Sequence, residues 1–278
     1  MTKSVLIVEH NVRKSRKIAL VAQKKLIFAM LNRLSYMGSK HNYNYSVATQ
    51  DVDFALRATI NSICTDILNT AGIDAQNTEF GLSALTQENR SWVLSRFAIE
   101  LDYRPSQYAE YNMNTWVNTN TRMLSTRNFE LFDEQGTMFG RAVSQWCVID
   151  FKRRMPVNLD ELADKFAPYL CDAPSPCEAP RKMLPIEPQQ QREHKVVYSD
   201  IDFNRHVNTM RYIVMMIDML PIEYMQEQRG LRFDIHFMRE CCLGQTLTIG
   251  YEQRDNLSLF EIKNDEGVVA CRASIEWR

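Results

Sequence analysis

The chain has 278 residues, of which 45% are hydrophobic and 24% are charged, and its formal net charge is −1. This composition is that of an ordinary globular protein, and at about 150 residues per domain the length predicts two domains. The near-neutral charge gives no sign of a global field for nucleic acid or membranes, and no apolar run approaches the roughly 20 residues of a membrane span. Seven cysteines without a Cys-x-x-Cys pair predict reduced thiols in a cytoplasmic protein without a metal site.

Residues 1–40 form a basic segment in which nine lysines and arginines face only one acidic residue, Glu9. An amphipathic helix over 18–34 would be typical of a targeting or membrane-surface segment, but the stretch lacks an uninterrupted apolar region. We favour a disordered extension or a mis-called start, with Met37 as the candidate first residue. The segment is therefore left out of the fold prediction.

The remainder of the chain contains an internal repeat. Residues 51–54 (Asp-Val-Asp-Phe) resemble residues 200–203 (Asp-Ile-Asp-Phe), and each segment is followed by apolar residues at helical spacing. In the first copy these residues follow the rule of an amphipathic helix. In the second copy the pattern over 210–220 is apolar almost all round, which predicts a buried central helix.

Alternating apolar and polar residues follow each predicted helix, as in half-buried antiparallel strands. Residues 96–99 match residues 232–235. Further on, residues 129–146 match residues 260–277, because their Phe, Gly, Arg and Trp residues are identically spaced. Each copy therefore reads as a strand, a long helix and several antiparallel strands that wrap the helix.

A proline-rich stretch separates the two copies and holds five of the nine prolines of the chain. Such a composition is typical of a stiff, extended linker. We predict an α+β protein with a first domain over 41–169, a linker over 170–191 and a second domain over 192–278.

The second copy carries polar residues at alternate positions, Asp202, Asn204 and His206. On an extended backbone alternate side chains point to one side, so these three would converge. The alternative is a polar turn ahead of a helix that is capped by Asn208. In the first copy Asp53 corresponds to Asp202, but alanine and arginine stand opposite Asn204 and His206. The scaffold is repeated and the polar site is not, which favours a reaction site.

A second candidate group is Glu240, at the end of the strand that begins at Leu231. The repeat places Arg104 and Pro105 opposite Glu240 and Cys241, so the polar chemistry again differs between the copies. Glu240 is a candidate base if it meets His206 in space. The alternative is a solvated carboxylate paired with the adjacent arginine.

These motifs resemble those of the acyl-acyl carrier protein thioesterases, the plant plastid fatty-acyl chain-release enzymes and their bacterial relatives. The resemblance covers residues 43–278. It rests on residues 202–208 (Asp-Phe-Asn-Arg-His-Val-Asn) and 239–241 (Arg-Glu-Cys), with Trp-Val patterns at 92–96 and 115–117. It implies tandem hot dog domains, each an antiparallel sheet wrapped around a long helix. It also implies hydrolysis of a fatty acyl thioester by the second domain, with Asp202, Asn204, His206 and Glu240 as the functional residues.

The chemistry expected of this set needs no metal or cofactor, because the leaving thiol has a pKa of roughly 8.5 and departs readily. We expect Glu240 to activate water or, less favourably, to attack directly, and Asn204 to orient the water or the carbonyl. His206 and Asp202 would hold these two groups. The backbone N–H groups of Val207 and Asn208, at a helix start, would polarise the carbonyl oxygen.

Cys241 matches the cysteine that was once proposed as a nucleophile in this family. A neighbouring glutamate raises the pKa of a thiol, which weakens that role, and a small buried thiol is the alternative. Cys241 is kept as a candidate of lower rank.

The expected partner is an acyl carrier protein that bears a phosphopantetheine-linked acyl chain. Because a carrier protein is acidic, the basic run Lys152, Arg153 and Arg154 is a candidate docking surface; an ordinary solvated charge run is its alternative. The first domain would bind the acyl chain without taking part in the chemistry, and its apolar channel would be walled by the candidates Ile60, Ile63, Ile67, Phe97 and Met113. An acyl-coenzyme A thioesterase, a non-catalytic acyl-binding regulatory protein and a homodimeric assembly stay open.

Overall fold

The computed structural model describes residues 20, 23–24, 37–78, 80–227 and 230–278. The basic segment of residues 1–40, with its expected helix over 18–34, lies almost wholly outside the described residues, so the expectations about it stay predictions. Among the described residues no helix is long and apolar enough to cross a membrane.

The described residues form eleven strands, five α-helices and four short 3₁₀ segments. The strands are β1 (His41–Ser46), β2 (Arg90–Leu101), β3 (Glu110–Asn120), β4 (Ser125–Asp133), β5 (Met138–Asp150), β6 (Met155–Pro156), β7 (Gln190–Lys195), β8 (Leu231–Phe237), β9 (Thr246–Arg254), β10 (Leu257–Lys263) and β11 (Val269–Trp277). The α-helices are α1 (Ile60–Gln76), α2 (Leu82–Gln87), α3 (Ala163–Phe166), α4 (Thr209–Ile217) and α5 (Glu223–Gln226). β7 begins at Gln190, inside the segment predicted as linker.

All strands belong to one antiparallel sheet, in which β6 pairs only with β5 and the others follow the order β1-β3-β4-β5-β2-β8-β11-β10-β9-β7. Read from its outer edge, each half has the same order, β1-β3-β4-β5-β2 in the first and β7-β9-β10-β11-β8 in the second. The halves meet where β2 pairs with β8, with Ala98 opposite Asp234 and Glu100 opposite Arg232. This confirms the α+β class and the antiparallel strands predicted from the repeat.

The two longest helices lie against the sheet and contact each other. α1 is capped by the Thr59 side chain and buries Ile60, Ile63, Cys64 and Ile67, as its spacing predicts. α4 is capped by Asn208 and ends at Ile217, short of the predicted 220, because a turn of i to i−3 hydrogen bonds leads into a proline at 221. Several of its residues are only partly buried, so it is less enclosed than the sequence pattern predicts.

The linker crosses the face of the sheet opposite the helices. Phe233 and Ile235 belong to the helix-side core, so the alternating residue Asp234 points to the opposite face. There the Asp234 carboxylate accepts the Arg181 N–H at 2.9 Å. Upstream, the Trp116 indole donates to the Ala173 carbonyl at 3.1 Å, and downstream the Gln189 N–H donates to a β9 carbonyl at 2.8 Å. The linker thus ties the first half to the far strands of the second.

A buried charge cluster lies beneath the linker, at the seam where β2 pairs with β8 and joins the two halves. The Arg232 side chain is fully buried and donates to Glu100 at 2.8 Å, to Asp234 at 2.7 Å and to the linker carbonyl of Ala179 at 3.1 Å. Burial raises the pKa of Glu100, but hydrogen bonds from Arg278, Arg232 and Arg141 outweigh it and hold the pKa at about 2. Glu100 is therefore ionised at neutral pH, and the cluster is a set of paired charges.

Replacing Arg232 with methionine tests how far the seam depends on this cluster. The substitution removes the buried cation from Asp234 and one of the three arginines that contact Glu100, so we expect a loss of about 3 to 5 kcal/mol in the free energy of unfolding. Chemical denaturation at pH 7 measures the loss. Arg181→Met is the matched control, because the Arg181–Glu276 pair is 42% and 33% exposed and should contribute about 1 kcal/mol or less. Equal losses in the two variants would contradict the assigned role.

Candidate active site

The segment from Asp202 to His206 is a tight turn. The Asp202 carboxylate accepts the backbone N–H of Asn204 at 2.8 Å and of His206 at 3.3 Å, and the Asp202 N–H donates to the His206 carbonyl at 2.9 Å. Arg205 has a φ of 66°, a left-handed conformation that completes the turn. The expectation of an extended backbone is therefore wrong, because aspartate side chains compete for neighbouring N–H groups and form turns.

The turn changes where the predicted side chains lie. The Asp202 carboxylate holds backbone groups and does not join His206 and Glu240 in a side-chain network, and the side chain of Asn204 is exposed to solvent. The alternation that first suggested convergence does not describe their geometry. Asp202 is a scaffold residue of the loop, and Asn204 stands beside it with its amide open to a ligand.

His206 and Glu240 do meet. The His206 Nε2 atom lies 3.3 Å from a Glu240 carboxylate oxygen, with the side chains 31% and 48% exposed. Backbone pairing brings the two segments together, because His206 bridges to Cys242 and the Val207 N–H donates to the Cys241 carbonyl at 2.8 Å. The result is an imidazole–carboxylate pair at the surface, held by backbone hydrogen bonds on both sides.

The same backbone hydrogen bonds overturn one expectation. The Val207 N–H is bonded to Cys241, and the Asn208 N–H donates to the Asp200 carbonyl at 2.8 Å. The Asn208 side chain in turn accepts the Met210 N–H as the cap of α4. Val207 and Asn208 therefore have no backbone N–H to offer to a substrate oxygen, since pairing with the neighbouring loops uses both donors.

The first copy repeats the loop with different chemistry. The Asp53 carboxylate accepts the Ala55 N–H at 2.9 Å, as Asp202 accepts that of Asn204, and Leu56 has a φ of 56°. Arg104, opposite Glu240 in the repeat, binds Asp53 at 2.5 Å and is 4% exposed. Asp202 thus keeps the backbone role that Asp53 has, whereas the pair of His206 with Glu240 occurs in the second copy only.

Cys241 is buried, with 0% of its surface exposed. Burial raises the pKa of its thiol, and the nearby Tyr212 hydroxyl only partly offsets this rise. A thiol must ionise to act as a nucleophile, so this environment disfavours Cys241 in that role. The neighbouring Cys242 is exposed.

One cluster next to the site escaped the sequence analysis. The fully buried Asp200 carboxylate accepts the Arg211 Nε–H at 2.8 Å and the Val197 N–H at 2.9 Å, and it lies 2.7 Å from His194 Nε2. Burial raises the pKa of Asp200, but the hydrogen bonds from Val197, His194 and Arg211 outweigh it and leave the pKa below its usual value. In the first copy, tyrosine and serine stand at the positions that correspond to His194 and Arg211. This difference between the copies was the signal in the sequence.

The remaining candidates lie apart from the pair. Lys152, Arg153 and Arg154 form an exposed turn after β5, where the first two donate backbone N–H groups to Asp150. The five expected channel residues are core residues, none more than 2% exposed: Ile60, Ile63, Ile67, Phe97 and Met113. In the described part of the chain no group of three or more His, Cys, Asp or Glu side chains is arranged to hold a metal ion.

The chain is similar to known proteins in both sequence and fold. The family model of the acyl-ACP thioesterase N-terminal domain matches residues 38–166, and that of the C-terminal domain matches residues 184–278. A solved acyl-ACP thioesterase from Bacteroides thetaiotaomicron is 33% identical with a TM-score of 0.77, over 86% of this chain and 98% of that one. The chain belongs to the acyl-ACP thioesterase family.

Two further acyl-ACP thioesterases show a likeness in fold or in sequence. The 12:0-ACP thioesterase from Umbellularia californica has the same fold, with a TM-score of 0.75 at 16% identity over 86% of this chain and 97% of that one. A chloroplastic acyl-[acyl-carrier-protein] hydrolase of Cuphea viscosissima is 22% identical over 87% of this chain. The match spans 63% of the length of that plant thioesterase.

Replacing Asp200 with asparagine tests the buried cluster. We expect a loss of about 1 to 3 kcal/mol in the free energy of unfolding at pH 7, because the hydrogen bonds to the charged partners weaken. Since the pKa of Asp200 is lowered by folding, its contribution is present above the unfolded value of about 3.9 and is lost as the pH falls below it. The difference between the parent and the variant should therefore shrink in acid.

Urea denaturation from pH 7 down to pH 3 measures this difference. The control is Asp51→Asn, the counterpart in the first copy, whose carboxylate accepts the Ala48 N–H at a longer distance of 3.3 Å and should cost about 1 kcal/mol or less. A difference that stays constant with pH would show that ionisation of Asp200 does not stabilise the fold.

Proposed function

We propose that this protein hydrolyses the thioester between a fatty acyl chain and an acyl carrier protein and releases the free fatty acid. The single observation that carries the proposal is the imidazole–carboxylate pair of His206 and Glu240, present in one copy of the duplicated domain and absent from the other. Membership in the acyl-ACP thioesterase family supports it. The exposure of the pair also supports it, because a thioester delivered on a protein carrier needs a site that opens at the surface.

In the proposed reaction Glu240 is the general base. One carboxylate oxygen interacts with the His206 ring and the other takes a proton from water as the water oxygen adds to the thioester carbonyl carbon. The tetrahedral intermediate then collapses, the C–S bond breaks, and the thiolate receives the proton from Glu240. The leaving thiol has a pKa of roughly 8.5, so its departure needs little assistance.

The other residues take supporting roles. We assign to the exposed Asn204 amide the role of orienting the water or donating to the carbonyl oxygen, a role that the bonded N–H groups of Val207 and Asn208 do not fill. Asp202 holds the turn through backbone N–H groups. Every group in the scheme belongs to the chain or is water.

For carrier-protein docking, Lys152, Arg153 and Arg154 stay a candidate surface. Both β5 and β8 run antiparallel to β2, so the turn after β5 and the segment after β8 lie at the same end of the sheet. Glu240 follows β8 at that end. Along β2, the last residue paired with β5 is Arg90 and the last residue paired with β8 is Arg96. These two positions are six residues apart, which is about 20 Å of strand.

Glu240→Gln and His206→Ala test the proposed base. We expect turnover of acyl-carrier protein to fall by about 100-fold or more in Glu240→Gln, because general-base catalysis typically contributes that much. His206→Ala should fall less, since the base remains but loses its partner. Both side chains are partly exposed, so the variants should fold. Steady-state release of fatty acid gives the rates, and circular dichroism checks the fold.

The matched control is Arg57→Ala, which changes the residue that stands opposite His206 in the first copy and should leave turnover near that of the parent. Near-normal turnover of folded Glu240→Gln would refute the base. Assays with the same acyl chain on coenzyme A decide between the two thioester classes. Faster turnover of the coenzyme A substrate would favour the rival thioesterase, and no turnover of either would favour an acyl-binding protein.

Cys241→Ser tests the cysteine route. Because burial disfavours the thiolate, we expect substantial residual turnover together with a loss of stability from the buried hydroxyl. Cys271→Ser, at another fully buried cysteine, controls for that loss. A Cys241→Ser protein that is folded but inactive would restore the cysteine as nucleophile.

A further inference from the structure

Large apolar side chains stand in solvent beside the reactive pair. Tyr198 is 90% exposed, Phe203 is 73% exposed and Leu243 is 62% exposed. They line one surface groove of about 560 Å³ together with Arg205, and this set of four residues is called the Tyr198 groove below. Contiguous apolar surface of this kind marks interaction sites on proteins, whereas single exposed apolar residues do not.

The groove is built on a fixed frame. Its residues come from three loops, around 198, 203 and 243, and backbone hydrogen bonds join these loops to one another. The Val207 N–H donates to the Cys241 carbonyl at 2.8 Å, and the Val196 N–H donates to the Gln245 carbonyl at 2.9 Å. The Gly244 N–H returns to the Val196 carbonyl at 3.1 Å. A preformed surface binds a partner without a large ordering cost.

One cation lines the groove. Arg205 is exposed, and the structure records no ion pair for it within the residues it describes. Asp202 also lines the groove, but its carboxylate accepts backbone N–H groups, and Glu240 lies against His206. The groove therefore presents the Arg205 guanidinium to an incoming molecule.

The first copy of the domain separates the features that matter. Its equivalent loop also exposes large apolar side chains, with Phe54 at 58% and Tyr108 at 70%. Leu56, however, stands where the second copy has Arg205, at a nearly equal φ of 56° against 66°. Exposed apolar residues thus belong to the scaffold in both copies, while a cation at this position of the turn occurs only in the second copy, beside His206.

We propose that the Tyr198 groove is the docking surface for the acidic carrier protein. The proposal rests on the function proposed above and assigns the partner to one face. An acidic helix of the carrier would pair a carboxylate with Arg205 and cover Tyr198, Phe203 and Leu243. Because Arg205 adjoins both Asn204 and His206 in the chain, docking here delivers the thioester directly to the pair.

Arg205→Glu tests the proposal with one matched control. The quantity to measure is the ratio of kcat/KM for acyl-carrier protein to kcat/KM for the same acyl chain on a small pantetheine thiol. Charge reversal at a docking surface slows association with an acidic partner, so we expect this ratio to fall about tenfold or more at low salt. The fall should shrink as salt is added. Leu56→Glu places the same residue in the equivalent turn of the first copy and should leave the ratio unchanged.

Two further measurements keep the test decisive. Binding of a fluorescently labelled holo-carrier protein, followed by anisotropy, should weaken in Arg205→Glu and in Phe203→Ser but not in Leu56→Glu. A Lys152→Glu, Arg153→Glu double variant compares the turn after β5 in the same assays. An unchanged ratio in Arg205→Glu, or a larger loss in the double variant, would overturn the groove as the docking surface.

Failure of the proposed function has a different signature. A parent protein that hydrolyses neither substrate, yet binds the carrier in a manner that depends on Arg205, would refute the hydrolysis and leave the docking surface in place. A parent that hydrolyses both substrates with equal sensitivity to Arg205→Glu would keep the hydrolysis and refute the docking surface.

Discussion

Antiparallel pairing between β2 and β8 joins the two halves into one sheet. This pairing buries the charged side chains of Arg232 and Glu100. Two residue pairs flank the centre of this seam at equal distances. Glu100 lies opposite Arg232 on one side of the centre, and Arg96 lies opposite His236 on the other. The linker crosses only the first of these, where its carbonyls help to enclose Arg232. Because a one-residue slip would separate Arg232 from Glu100 and break their buried contact, we infer that the cluster fixes the register of the seam. The reactive loop inherits its position from β8.

The duplicated loop shows how one scaffold is either closed or reactive. In the first copy Arg104 reaches into the loop, binds Asp53 and the Ala58 carbonyl, and is 4% exposed. Its guanidinium occupies the place of a reaction site and leaves no surface for a substrate. In the second copy the corresponding Glu240 stays 48% exposed against His206. The same backbone therefore carries a buried ion pair in the first copy and a partly exposed imidazole–carboxylate pair in the second.

Those features that depend on local periodicity could be predicted from the sequence. The core face of α1, the paired strands and the duplication follow from the spacing of apolar residues and were confirmed. The extended backbone expected after Asp202 was wrong, because hydrogen bonds from two backbone N–H groups to the Asp202 carboxylate convert the segment into a turn. Two other features depend on contacts between segments, which the spacing of residues along the chain does not reveal. They are the use of the backbone N–H groups of Val207 and Asn208 in loop pairing, and the cluster of Asp200, His194 and Arg211. Comparison of the two copies, rather than any motif alone, directed attention to His206 and Glu240.

In the proposed hydrolysis, access to water favours Glu240 over Cys241 as the reacting group. Cys241 is buried and its pKa is raised, so a thiolate there would require both deprotonation and a path to the substrate. The Glu240 carboxylate is 48% exposed beside His206, so it is open to water, from which the proposed mechanism has it accept a proton. Direct attack by this carboxylate would create an anhydride that still needs water for release. Water activation reaches the product in fewer steps from the geometry already present, and it uses a base that the second copy alone exposes.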